Sequence, residues 1–189
     1  MTGGARVHVL LDGTLRPDVA STCTLVLDGD HAIVVDPGLA PSQESITGPL
    51  HELGLSRSDV TDVVLSHHHP DHTINVGLFP MARIHDHWAI YDFAGRWDTV
   101  ECEGRQIAAN VSLMKTPGHT DEDMSTVVRT ADGVYVLTHE WWTANEPVDD
   151  PYAPDLAELR GSRARILEIA EVIVPGHGPA FRPDDSTPR

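Results

Sequence analysis

The sequence predicts one α/β domain in which two β-sheets pack together and carry helices on their outer faces. Three observations point there. Short apolar, β-branched runs are followed by helical spacing in both halves of the chain. At four places a strand-like run passes into a turn and then a side chain able to bind a metal. Finally, 189 residues, 40% hydrophobic and 22% charged, suit a single core.

Taken in order, Val7 to Leu11 is a short strand closed by Asp12-Gly13, and Thr22 to Leu27 and Ala32 to Val35 flank the tight turn Asp28-Gly29-Asp30-His31. Asp36-Pro37-Gly38 stops this meander. Ile46, Leu50 and Leu53 then fall at helical spacing between Ser42 and Leu53, with Gly54 as the C-cap. Asp62 to Ser66 is a strand, and Thr73 to Phe79 opens a short helix behind the segment that follows it. The run from Ile84 to Tyr91 has no clear period, whereas Gln106 to Lys115 alternates imperfectly before Thr116-Pro117-Gly118-His119-Thr120 turns the chain. Met124 to Arg129 and Val134 to Thr138 are strands around Ala131-Asp132-Gly133. An acidic, proline-rich surface loop covers Asn145 to Pro154, a helix Leu156 to Ala170, and a last strand Glu171 to Val174. The domain is expected over residues 1–182, with a polar tail at 183–189 that frays.

Composition narrows the function classes. The formal charge of −16 and a lone lysine, Lys115, make nucleic acid an unfavourable partner and a small molecule the expected one. Neither a membrane-length apolar run nor, at Met1-Thr2-Gly3-Gly4, a leader pattern is present, and Cys23 and Cys102 make no disulfide framework, so a cytoplasmic location is expected. Oligomeric state is not encoded in any of these features.

Twelve histidines stand out, because Ser66-His67-His68-His69-Pro70-Asp71-His72 holds four of them in six positions. On an extended segment His67 and His69 point to one side while His68 faces away, and Asp71 and His72 then address a second position. Neutral imidazoles with a carboxylate suit zinc, iron or manganese, and the absence of thiolates argues against a soft-metal site. His119 and His177 each follow Pro-Gly and supply further ligands. His85-Asp86-His87-Trp88 repeats the His-x-His spacing without an acidic follow-up, and reads as a pocket-rim loop in which His87 can touch substrate. Trp141 and Trp142 can wall a pocket, and Cys23 reads as a buried small hydrophobe.

These residues, His67-x-His69-x-Asp71-His72 with His119, an acidic residue after a strand and His177, resemble the metallo-β-lactamase superfamily across nearly the whole chain. Thr116-Pro117-Gly118-His119, Ser162-Arg163-Ala164-Arg165 and Ile173-Val174-Pro175-Gly176-His177-Gly178-Pro179 resemble the metallo-β-lactamase domain-containing protein 1 family within it. The resemblance implies an αββα sandwich with two divalent ions at the sheet edge, zinc first, iron or manganese as alternatives. It implies His67, His69 and His119 on one ion, Asp71, His72 and His177 on the other, and a bridging carboxylate after the strand Val134 to Thr138. There the superfamily usually carries Gly-Asp and this chain carries His139-Glu140, so Glu140 is expected to bridge or to bind one ion, with His139 beside it as a substrate-contacting group or acid.

The chemistry implied is hydrolysis of a small ester, thioester, lactone or phosphodiester by a metal-bound hydroxide, with Asp71 orienting the nucleophile and moving its proton. The glutamate raises an alternative, a di-iron oxygenase on the same ligands; a non-catalytic metal-binding homologue is the third reading. A β-lactamase proper is not expected, since no lysine lies near the final histidine.

Overall fold

The computed structural model describes residues 4–189, so Met1 to Gly3, where a leader pattern was sought, lie outside the described residues. A seven-stranded sheet runs in the order β1 (Arg6–Leu11), β2 (Cys23–Asp28), β3 (His31–Val35), β4 (Asp62–Val64), β5 (Arg83–His85), β6 (Ala89–Asp92) and β7 (Trp97–Thr99). A five-stranded sheet is ordered β12 (Val172–Val174), β11 (Gly133–Leu137), β10 (Met124–Thr130), β9 (Val111–Lys115), β8 (Gln106–Ala108). Pairing is antiparallel except for β3 with β4, β4 with β5, and β11 with β12, which are parallel.

Strand alternation builds the layers. Val26, Ile33, Val35 and Val64 face Leu113, Met124, Val128 and Leu137 across a core between the sheets. Their neighbours Leu25, Val34 and Val63 point the other way and bury Ile46 and Leu50 of helix α1 (Glu44–Glu52). On the far side Val127, Val136 and Ile173 receive Ile166 of helix α3 (Leu156–Leu167). Two sheets enclosed by helices is the αββα architecture expected from the sequence.

Differences from the sequence reading are local. The short helix behind the histidine cluster, α2, covers Pro70–Thr73, earlier than expected, because Pro70 at its first position presets the helical φ. The region from Ile84 to Tyr91 lacked a single period because it is two strands, β5 and β6, joined by a bend. The tail expected to fray is tied down: Trp141 Nε1 donates to the Pro188 carbonyl at 2.9 Å, and Thr187 is buried. Among the described residues no helix is long and apolar enough to cross a membrane.

Candidate metal centre

Within each sheet the strands that carry the histidines end at the same side, and their C-terminal ends meet. β3 delivers Asp36, β4 leads to Ser66 and His67, β9 to His119, β11 to His139, and β12 to His177. Two backbone hydrogen bonds clip the sheets together there, Met124 N–H to the Ser66 carbonyl at 3.0 Å and Thr22 N–H to the Gly176 carbonyl at 2.7 Å.

Outer partners aim the imidazoles. His72 Nδ1 lies 2.9 Å from Asp36 Oδ2, His119 Nδ1 2.8 Å from Asp150 Oδ2, and His177 Nδ1 2.9 Å from the Ala20 carbonyl. The Ala20 carbonyl can only accept, and so can the two carboxylates while ionised, so each Nδ1 carries the proton and Nε2 keeps its lone pair. His67 Nδ1 donates to Ser66 Oγ at 3.0 Å, and Ser66 Oγ donates to Asp36 Oδ2 at 2.7 Å. Asp36 therefore orients His67 and His72, one from each half of the centre. It does so from the left-handed region, at φ 51°, a conformation seldom adopted by residues other than glycine.

The inward atoms are close together. His119 Nε2 is 3.1 Å from His69 Nδ1, about the separation of two nitrogens on one tetrahedral ion with bonds of about 2.0–2.1 Å. Asp71 Oδ2 is 3.5 Å from His72 Nε2 and 3.6 Å from His177 Nε2. Two triads have ligand atoms within 4.8 Å of one another, His67 with His119 and His139, and His72 with His139 and His177. His67 Nε2, His72 Nε2 and His139 Nδ1 are buried without a hydrogen-bond partner. Orphaned imidazole nitrogens gathered in these two triads fit divalent cations, which would satisfy them.

The bridging position differs from the expectation. Glu140 is not brought to the histidines; its carboxylate lies under Gly118, where a Cβ would stand 1.8 Å from Oε2, and neither oxygen has a partner. His139 takes the central place, its ring centroid 4.4 Å from that of His119, 4.6 Å from His67, 4.7 Å from His72 and 5.1 Å from His177. The ring fits because residue 176 is glycine: a Cβ there would meet His139 Cδ2 at 2.3 Å. One residue along the chain reverses which side of the segment faces the cluster, and the β11 register points 139 inward.

Electrostatics separates these neighbours. Burial, then the surrounding imidazoles, holds the pKa of His67 and His139 well below the usual value, and lowers that of His177. For His72 burial works in the same direction, but the carboxylates of Asp36, Asp71 and Asp123 together outweigh it and the pKa is raised. Burial and then the nearby Asp123 push Glu140 well above the carboxylate range, with the Arg163 guanidinium opposing; burial raises Asp123 to about 7.

The remaining expected residues fall elsewhere. His68 faces away, stacked on Trp88 with centroids 5.2 Å apart, Nδ1 3.0 Å from Glu122 Oε1. His87 lies in a separate cavity with Trp88, Thr120, Asp121 and Glu122, its Nδ1 donating to the Glu122 carbonyl at 2.9 Å. Trp141 is a core residue, fully buried beneath Arg163, whose guanidinium carbon is 5.3 Å from the ring. Trp142 is the tryptophan that reaches the centre's cavity, a space of about 690 Å³ shared with His69, Asp71, His119, His139 and His177. Asp150, in the loop expected at the surface, is buried and holds both His119 and the Trp142 indole, the latter at 3.0 Å. Its loop is fixed by Arg163, which donates to the carbonyls of Glu140, Pro147 and Val148 at 2.9, 2.8 and 2.6 Å. Asp36 was also missed, read only as a strand stop; its place one residue past a strand that pairs with the strand feeding the cluster was the available signal.

Residues 16–101 match the family model for the metallo-beta-lactamase superfamily. The chain is 33% identical to metallo-beta-lactamase domain-containing protein 1 of Xenopus laevis, over 93% of this chain and 81% of that one, and 31% identical to the Mus musculus protein of that name, over 96% and 85%. The fold is shared with a Thermotoga maritima crystal structure described as a metallo-beta-lactamase, at a TM-score of 0.73 and 22% identity over 95% of this chain and all of that one. With its histidines at the end of an αββα sandwich, the chain belongs to the metallo-β-lactamase superfamily, on the branch of metallo-β-lactamase domain-containing protein 1.

Proposed function

We propose that this chain is a hydrolase that holds two divalent ions, zinc foremost, and acts on a small molecule. The observation that carries the reading is the oriented histidine set: four Nδ1 atoms engaged outward, the Nε2 atoms of His67 and His72 without partners, and those of His119 and His177 each 3.1 Å from another imidazole nitrogen. His67, His69 and His119 would hold one ion, Asp71, His72 and His177 the other, with His139 between them in place of a carboxylate. Ions held there supply a Lewis acid for a carbonyl or phosphoryl oxygen and a hydroxide nucleophile near neutral pH.

The chain's own groups do the rest. Asp71, half-buried on the cavity wall, presents Oδ2 beside His72 and His177, where it orients a nucleophile by accepting a hydrogen bond and takes up its proton. His119 and His67 are fixed by Asp150 and Ser66, so their lone pairs are presented without rearrangement. The redox alternative drew its support from Glu140, and the position of that carboxylate beneath Gly118 withdraws it.

Metal content by elemental mass spectrometry on untagged protein tests the reading first: about two zincs per chain is expected, and two irons would favour the redox alternative. Asp71→Ala should then lose at least about a hundredfold in kcat/KM with the fold intact by circular dichroism. Full activity in that variant would refute the proposed role.

A further inference from the structure

We infer that the cavity over the metal centre takes the apolar acyl group of a neutral carboxylic ester, lactone or thioester. This rests on the hydrolase reading and narrows its substrate class. The floor of the cavity is polar, formed by the ligand histidines and Asp71, whereas its walls carry Leu15, Val19, Leu39, Trp142 and Tyr152. An occupant that satisfies both surfaces has a reactive polar head and an apolar body.

The walls are built for this and are not incidental core. Trp142 and Tyr152 stack with centroids 5.9 Å apart, and both meet His119 edge-on, at 6.1 and 5.8 Å, so the aromatic wall begins where the ligands end. Val19, Leu39 and Tyr152 are 43%, 37% and 69% exposed, three large apolar side chains left to solvent around one mouth. Apolar surface gathered at a concave site is the usual mark of a ligand surface.

Charge argues against an anionic tail. Among the described residues Arg16 is the one Lys or Arg side chain lining the cavity, and its guanidinium is turned to Glu146 at 3.6 Å. The chain carries −16 overall. In the reaction the water oxygen bonds to the acyl carbon as the acyl C–O (or C–S) bond breaks. One water proton ends on the leaving alcohol or thiol, and the other leaves with the acid product through Asp71 or solvent.

The test is the chain-length dependence of kcat/KM for p-nitrophenyl acetate, butyrate, hexanoate and octanoate with zinc-loaded protein. A buried methylene is worth up to about fourfold, so octanoate should exceed butyrate by at least about tenfold, and a hemisuccinate ester should fall below butyrate. Val19→Asp should flatten the series while zinc per chain stays at the wild-type value. A flat wild-type series, or a hemisuccinate preferred over butyrate, overturns the inference and leaves the hydrolase reading standing. Should no ester be turned over, binding of octanohydroxamate against acetohydroxamate by calorimetry decides. At least about tenfold tighter binding of the longer chain supports the apolar cavity although simple esters are not its substrates, and equal binding overturns the cavity assignment.

Discussion

Two buried groups of histidine and carboxylate sit in this molecule, and their contrast shows what separates support from function. At the far end of the seven-stranded sheet Asp62, wholly buried, accepts from His31 Nδ1 at 3.0 Å, His85 Nε2 at 2.9 Å, Arg83 at 2.7 Å and Thr61 Oγ1 at 2.8 Å. The carboxylate is saturated, and despite the cost of burial the hydrogen bonds from His85 and His31 hold its pKa below the usual range. At the other end, Asp36 and Asp150 engage only the outward nitrogens, and the inward ones of His67 and His72 have no partner. The same residue types saturate one carboxylate, where only His85 Nδ1 is left without a partner, and at the other end leave the nitrogens of His67, His72 and His139 unpaired around one cluster, which is where a ligand belongs.

The largest effect expected from breaking this contrast is on the closed side. Asp62→Ala strands His31, His85 and Arg83, and should cost about 3–5 kcal/mol, a Tm drop of roughly 10 °C, without changing zinc per chain. Asp62 is also the acid-sensitive member: its folded pKa is depressed, so its contribution is complete above the unfolded value near 3.8 and is lost as pH falls through the lower folded value. The Tm difference between wild type and Asp62→Asn should therefore shrink below about pH 4.

On the open side the effect is on metal, not stability. Asp36→Ala releases His67 through Ser66 and His72 directly, and should weaken zinc binding at both positions by about 10–100-fold, measured by competition with a chelator. Loss at one position only would show that Ser66 does not relay the orientation. If Asp36→Ala lowered Tm with metal retained, or Asp62→Ala lost metal, the distinction between the two groups would fail.

The smallest effect separates His139 from Glu140. Glu140 has a raised folded pKa, so the unfolded chain releases its proton first and this group's contribution falls as pH rises above about 4.5. Glu140→Gln should leave zinc per chain unchanged, and the metal-free variant should gain in Tm over wild type between pH 5 and pH 8, by a few degrees. Loss of an ion in Glu140→Gln would restore the glutamate as a ligand, whereas His139→Ala is expected to lose metal.

Much of this was legible because it is encoded locally. The Pro-Gly turns, the apolar runs Thr22 to Leu27 and Ala32 to Val35 about their tight turn, and the His-x-His-x-Asp-His segment each state their geometry within a few residues, and the sandwich follows from them. His139 against Glu140 was not legible, since adjacent residues at a strand end face opposite ways and only the pairing of β11 with β12 fixes which one faces the histidines. Asp36, Asp150 and Asp62 escaped for a related reason. Their partners lie 36, 31 and 21–31 positions away, and a lone aspartate near a turn carries no mark of what it will meet.

The fit between His139 and Gly176 makes these two positions, far apart in the chain, one steric unit. A methyl at 176 would occupy the volume of the imidazole edge, so a chain with histidine at 139 admits only glycine opposite it, and a chain with a small residue at 139 is released from that restriction.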